Sequence, residues 1–557
     1  LRRPWASHTR PWTNAFQSLA DVDAASTYLT FDPIAASTLD DLVLPPGFEY
    51  QVIIAYGDLF TRRDERFGFN AHFTTFIPLG SDGSEGLLFV NHEYLSTVAK
   101  GAAGVYEQGF AEVVGGVHSV SDLGFDMGAS IVHIRRDADK RWVILGSDLN
   151  RRLTAASPMI ADGPALRDIA NVGGTLGNGS GCQTPWHTVL TCEQNYETYV
   201  AEDQVANGKG SIGGPLRKNG THFGWVVEVD PWDPVSLPVK HTGLGRFRHQ
   251  NVTLRAKAHE FVIAYMGDDR TNGHIYKFVS NRRFIPEGTG NKAILSSGRL
   301  FAAVFCADGT GRWIELAPTT ALDPYPGHPI PPLPPGATRL HDVYATQGDI
   351  LIDAFRASNL IGATPTGRPE DLQLHPLDDS LYVAFTANAT AGGSPFVDIR
   401  GEIVRIVEQS PYGAGLIFTW QRWKAGGAYP EALASPVFAA PNTVSSDRAG
   451  NLWACTDISS GQRQSDSRTV AQNSGVFFVP TSGVHAGSAF QFASAPRESE
   501  LAGLSWTPDE RTLFLCIEHP GEIHGMRTSP AMGLLGSNWP HRPHGAPLPA
   551  VVAIQRR

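Results

Sequence analysis

Cysteine is scarce in this chain. Five residues, Cys182, Cys192, Cys306, Cys455 and Cys516, are spread over 557 positions with no CxxC pair. That spacing makes a zinc ribbon unexpected and implies no disulfide framework, and an odd count leaves at least one free thiol. Such a thiol is more often a small buried hydrophobe than a ligand. Long apolar runs are missing as well. No stretch reaches the roughly 18 residues a membrane-spanning helix needs, so no span is expected. Charged residues are only 18%, and the balance is acidic, with 55 Asp and Glu against 45 Lys and Arg. A net charge of −10 with both signs interspersed argues against nucleic acid as the main partner. It leaves carboxylates free to bind hard cations. The start at Leu1-Arg2-Arg3, without methionine, carries the expectation of a mature or trimmed form.

Turn formers are abundant. The 58 glycines and 39 prolines, set against 42% hydrophobic residues and 12 tryptophans, suit a turn-rich β protein with a large core and do not suit a helical bundle. Residues 1–43 read as a polar extension packed on the body, with Trp5 and Trp12 as anchors. Residues 44–557 read as one domain. After the Pro-Pro-Gly entry at 45–47, Tyr50-Gln51-Val52-Ile53-Ile54 reads as a strand, and a theme then repeats: turn, short apolar strand, polar exit. It recurs at 81–93, 137–148, 258–269, 378–388, 447–457 and 508–521. Short strands framed by turn signals predict a β-propeller, in which polar strand exits from distant parts of the chain meet at a central channel. Two β-sandwiches are the competing architecture. The proline-dense 321–342 reads as a surface loop, and the apolar spacing over 341–363 predicts one or two helices leading toward Arg368 and Glu370.

Gly174 to Glu197, GTLGNGSGCQTPWHTVLTCEQNYE, is the densest site-like stretch. Gly177, Gly179 and Gly181 allow tight turns with exposed N–H groups, and Val-Leu-Thr-Cys reads as a buried strand with Glu193 at its exit. A hairpin with a polar rim would read the same way. The other exits are similar: Asn91-His92-Glu93, Gly267-Asp268-Asp269, Arg368-Pro369-Glu370-Asp371, Asp457 and His519. Each alone is more often a turn cap, but gathered at one pore they would bind calcium through oxygen. Arg151-Arg152 and Arg368 offer forks for phosphate oxygens, or neutralise neighbouring carboxylates. His72, His92, His187, His249 and His519 beside these motifs raise a transition-metal site as a possibility.

The ordered motifs ERFGFNAHF, LLFVNHEYLS, NRRLTAASP, GTLGNGSGCQTPWHTVLTCEQN, LGRFRHQ, YMGDDRTNGHIYKFVS, RPEDLQLHP, GNLWACTD and LFLCIEHPGE resemble the PhoX-type alkaline phosphatases from about Leu44 to Glu522. The resemblance implies an all-β fold, an exported six-bladed β-propeller with helical and loop insertions, located in the periplasm or outside the cell. It also implies phosphomonoester hydrolysis at a site of iron and calcium ions, with a cysteine thiolate on iron and an arginine on phosphate. Carried over, Glu93, Glu193 and Glu370 match carboxylate ligands, Arg368 matches the phosphate-binding arginine, and Asp457 and His519 stand in their motifs.

Five positions depart from the family pattern. Gly179 stands at the thiolate position, Gln250 at a glutamate, His72 and Asn442 at aspartates, and His187 at a glycine. The expected catalytic residues are therefore Arg368, Glu193 and Glu370, with Arg368, Asn178, Trp186 and Arg152 on the substrate. The expected metal positions are Glu93, Glu193, Glu370, Asp457, His72, His187, His249, Gln250, Asn442 and His519. Calcium is the expected cofactor, while iron or another transition metal would lack its thiolate. The expected substrate is a small phosphate ester. Two alternatives stand beside this reading: redox chemistry at a metal held by His72, His187 and His249, and a non-catalytic, calcium-stabilised binding propeller.

Overall fold

The computed structural model describes residues 31–557 except 81, 95–124, 168, 170, 201, 203–211, 214–217, 289, 327–329, 331, 387–394, 397–399, 410–414, 428–436, 459–471, 524–535 and 543–546. Trp5 and Trp12, expected as anchors, lie outside the described residues. The later part of the extension does pack on the body. The Phe31 ring meets Phe492 at 5.0 Å, and Val43 exchanges backbone hydrogen bonds with Ser494.

The described chain is mostly strand, in a propeller-like arrangement of antiparallel sheets. Strand Ala71–Pro78 leads one sheet, Asn178–Gln183 a second, Pro441–Ser446 another and Glu500–Trp506 another. A nine-stranded sheet has His249–Arg255 at one end and Pro369–Leu374 at the other. These six edge strands touch in a closed ring, in chain order, with Glu500–Trp506 returning to Ala71–Pro78. N-terminal Phe48–Ala55 pairs with C-terminal Ala550–Arg556, so the two ends of the domain complete one sheet.

The elements follow from their residues. Strands such as Leu87–Val90 and Val189–Leu190 are apolar on both faces and fully buried, as expected for strands sandwiched between neighbouring sheets. Between the first and last sheets, Ile54, Phe76, Trp142 and Phe514 form one apolar layer. The helices predicted over 341–363 are Gln347–Ile352 and Ala354–Leu360. The first starts on a capping box in which Thr346 and Asp349 serve each other's backbone N–H. Their apolar faces join the largest core cluster through Ile350, Leu351, Ala357 and Leu360.

One repeated detail positions the site. Five of the ring strands carry a register shift within their first residues, after Ala71, Asn178, His249, Pro369 and Pro441. The sixth carries its shift between Ala502 and Ser505. A bulge bends a strand and re-aims the side chains beside it. The strand starts thereby turn His72, Gln250, Glu370, Asn442 and Glu500 into one shared space.

Candidate active site and metal centre

The pore is built from paired strand ends. Each ring strand begins opposite the exit of its partner: Ala71 faces His92, Asn178 faces Glu193, His249 faces Asp268, Pro441 faces Thr456, and Glu500 faces Glu518. The residue after each exit is Glu93, Gln194, Asp269, Asp457 or His519. Side chains alternate along a strand, so one position decides which face a residue serves.

His72 sits between two carboxylates. Its Nδ1 lies 2.9 Å from Glu518 Oε1 and 3.4 Å from Glu93 Oε2. Asn70 Nδ2 donates to the other oxygen of Glu518, Oε2, at 2.8 Å and to the same Glu93 Oε2 at 3.0 Å. Burial would lower the His72 pKa, but Glu518 and Glu93 together hold it well above the ordinary value. Burial pushes Glu518 up to about 8. His72, Glu93 and Glu518 form one group whose donor atoms lie within 4.8 Å of each other, and Glu500, Glu518 and His519 form a second. Asn442 donates to Glu500 and so orients it, while His519 Nε2 lies 3.4 Å from the other Glu500 oxygen.

Arg368 forms the other half of the site. Its Nε and Nη2 donate to the two oxygens of Asp269 at 2.9 and 3.1 Å, and Nη2 also donates to Glu370 at 2.5 Å. Asp269, then Glu370, raises its pKa further, so its charge is permanent. Its loop is fixed by a two-stranded ladder pairing Thr271 with Gly367 and Gly273 with Thr366. Gln194 bonds the far side of Asp269, and Gln250 bonds Glu370 at 2.7 Å. Asp457 is close enough to contribute to the Arg368 charge environment.

The structure thus gathers Arg368, Glu370, Glu93, His72, Gln250, Asn442, Asp457 and His519. Other expected positions lie elsewhere. Glu193 is the register partner of Asn178, one residue short of the pore-facing position that Gln194 takes. It is fully buried against Lys240 Nζ at 2.6 Å and accepts the backbone N–H groups of Gly224 and Trp225. Its carboxylate is turned to these partners and away from the pore. Replacing Lys240 by methionine would leave that carboxylate unpaired. We expect a loss of about 3–5 kcal/mol in urea unfolding, with no change in bound metal.

Asn178 is used up on Thr175 and Thr191 at 2.7 and 2.8 Å. Trp186 donates to Glu228 at 2.7 Å and packs on the core. Arg152 is buried, and four backbone carbonyls, those of Ala129, Leu153, Phe125 and Met127, accept from it. None of the three faces the pore.

The proposed histidine trio does not assemble. His187 is exposed in the hairpin turn beyond Gln183, at the opposite end of the strand from Glu193. His249 alternates away from Gln250, stacks on Phe247 at 3.6 Å, and bonds Gly245 O through Nε2 at 2.9 Å. Burial holds its pKa near 3, whereas the unfolded chain takes up that proton below about 6.5. Between those values the unfolded state binds more protons, so this contribution is lost as pH falls from about 6.5 toward 3. In urea unfolding, His249→Gln is expected to lose less stability between pH 7 and pH 4 than the parent.

Sequence reasoning missed Glu500, Glu518, Gln194 and Asn70, and saw Asp269 only as a polar exit. For Gln194 and Glu518 the usable signal was register: each lies beside the exit residue that was chosen.

The comparisons with known proteins bear on the family and the fold. The family model for alkaline phosphatase PhoX matches residues 29–521. Among solved structures, Pseudomonas fluorescens PhoX in complex with vanadate, a transition state analogue, is similar over 95% of this chain and 98% of its own, with 26% identity and a TM-score of 0.77. A protein of unknown function from Dyadobacter fermentans is similar over 92% of this chain and 100% of its own, at 9% identity and a TM-score of 0.39. A search of curated proteins finds no match. Among the described residues no helix is long and apolar enough to cross a membrane. The chain belongs to the alkaline phosphatase PhoX family, whose members are phosphoric ester hydrolases.

Proposed function

We propose that this chain hydrolyses phosphate monoesters at the pore, with Arg368 taking the phosphoryl oxygens. The observation that carries the reading is the Arg368 fork. A permanently charged guanidinium already presents two parallel N–H donors to a pair of carboxylate oxygens, and 39% of its side chain is open to the outside. Phosphate oxygens would take the Nη1 edge of the same guanidinium, which Asp269 and Glu370 leave over. Asp269 and Glu370 hold the guanidinium plane, and Gln194 and Gln250 hold those carboxylates in turn. An oriented, desolvated donor pair stabilises charge that develops on the transferring group.

The buried oxygens of Glu93, Glu370, Glu518 and Asp269, with the partly exposed Glu500, suit hard cations. Bound there, such cations would supply Lewis-acid stabilisation of the phosphoryl oxygens. A thiolate-bearing iron does not fit the residues present, because a Cβ at position 179 would fall 2.2 Å from Gln250 Oε1. No step is therefore routed through iron.

The ring of edge strands supports six blades. On this reading the nine-stranded sheet is two blades joined where Thr310–Glu315 pairs with Ile417–Ala425, and 44–557 is one domain closed by its own ends. Export to the periplasm or the cell exterior belongs to the same reading.

The test is release of inorganic phosphate from a phosphomonoester at alkaline pH in the presence of calcium, with inhibition by vanadate. No turnover with calcium, manganese, zinc or iron would sink the reading.

A further inference from the structure

The pore contains no sulfur donor among the described residues. Cys192, Cys455 and Cys516 are fully buried on strands and pack into apolar clusters, and Cys182 packs against one of them. Cys306 lies in an outer hairpin turn, where its N–H bonds Thr310 O.

The space beside Gly179 is filled by amide oxygen. A Cβ there would meet Gln250 Oε1 at 2.2 Å, Gln194 Oε1 at 2.6 Å and the Gln250 backbone oxygen at 3.0 Å. Both side chains are almost completely buried, at 1% and 2% exposure. Their Nε2 atoms are committed to Glu370 and Asp269, which turns both Oε1 atoms toward Gly179 without a hydrogen-bond partner. A buried amide oxygen left unpaired is costly unless something positive or a donor faces it.

A second unpaired set lies across the pore. Glu518 Oε1 and His72 Nδ1 are 2.9 Å apart yet not aligned as a hydrogen bond, and Asn70 Oδ1 beside them is unpaired too. Asn70 Nδ2 donates to Glu93 Oε2 and Glu518 Oε2 and leaves Glu518 Oε1 without a hydrogen bond. Glu518 is the member common to both groups of converging donors. A carboxylate shared between two groups can bridge two cations at the roughly 3.5–4 Å separation of two-metal sites.

We propose that the metal centre of this chain is thiolate-free and takes hard divalent cations, the calcium and manganese class, through carboxylate and amide oxygens, with Glu518 as the carboxylate shared by two of them. The donors are carboxylate and amide oxygens with the imidazoles of His72 and His519 and no thiolate, a set that suits hard cations and lacks the soft ligand of an iron–thiolate centre. Gln194 and Gln250 direct amide oxygen into the space beside Gly179. This rests on the pore being the metal site of the proposed phosphatase.

The test uses the full chain, stripped with chelator and dialysed separately against calcium, manganese, zinc and ferric iron. Metal per chain is then counted by mass spectrometry, and absorption spectra are recorded for the iron arm. The expected result is about two calcium or manganese ions per chain, little retained iron, and no sulfur-to-iron charge-transfer band. Glu518→Gln should lose at least half of the bound calcium, whereas His187→Ala, on the exposed turn, should keep all of it. Gly179→Cys should produce no charge-transfer band. If either variant fails to fold, the counts on the parent chain still decide. Stoichiometric iron, zinc bound in preference to calcium, or no calcium and manganese at all would each overturn the proposal. Calcium bound without phosphate-ester turnover would remove the proposed function and leave this inference standing. Iron bound with turnover would do the reverse.

Discussion

Replacing Arg368 by alanine is expected to lower kcat/KM for a phosphomonoester by about 10²–10³-fold, the usual cost of removing one preorganised charge-stabilising donor. The same change should weaken inhibition by vanadate, because an analogue of the transition state uses the same fork. Arg368→Lys is the informative companion. Lysine keeps the charge but presents a point donor in place of two parallel N–H groups, so it should recover only a small part of the loss. Arg368→Ala frees Asp269 and Glu370 from their cation, although each keeps its glutamine partner. Thermal melts will separate unfolding from lost chemistry. Turnover within a few-fold of the parent in a folded Arg368→Ala protein would remove Arg368 from the mechanism.

The second large effect is expected from cation removal. Four buried carboxyl groups, Glu93, Glu370, Glu518 and Asp269, and the partly exposed Glu500 meet at one pore, where burial raises Glu370 and Glu518 above the usual carboxylate range. Like charges at such short range repel strongly in a poorly solvated space. Chelation should therefore abolish phosphate release and lower the thermal midpoint together, and calcium should restore both. The stabilisation should grow with the logarithm of calcium concentration, as binding to the folded state alone requires. Activity that persists after exhaustive chelation, with an unchanged melting curve, would contradict a metal-dependent pore.

How far these effects could be read beforehand differs from residue to residue. Arg368 and Glu370 were legible because RPED follows a helical stretch and opens a strand, and both reach the pore. Glu93 was legible as the carboxylate that follows Leu87–Val90 in the polar exit Asn91-His92-Glu93. Glu193 was read by the same rule and is wrong by one residue, which shows the limit of that rule. A strand exit places two adjacent polar residues on opposite faces, and sequence does not say which face looks inward. Glu193 went to Lys240, a residue 47 positions later in the chain, and Gln194 went to the pore. The same one-residue alternation separates His249 from Gln250.

Glu518 was hidden by its neighbour. In LFLCIEHPGE both Glu518 and His519 lie at the exit, and both reach ionisable partners, His72 in one case and Glu500 in the other. Arg152 failed for another reason. A basic pair on a short strand looks like an anion fork until backbone carbonyls are seen to take up its donors.

By itself, then, the sequence determined the strand content, the helices before Arg368, the family, and the absence of sulfur at position 179. Those are properties of local pattern and of residue identity. Tertiary structure decided the rest: which of two adjacent residues faces the pore, that Asn70 and Glu518 join His72 across a separation of more than 400 residues, and that two glutamine amides fill the space beside Gly179. Ring closure and bulge geometry set those contacts, and neither is encoded within any single stretch of the chain.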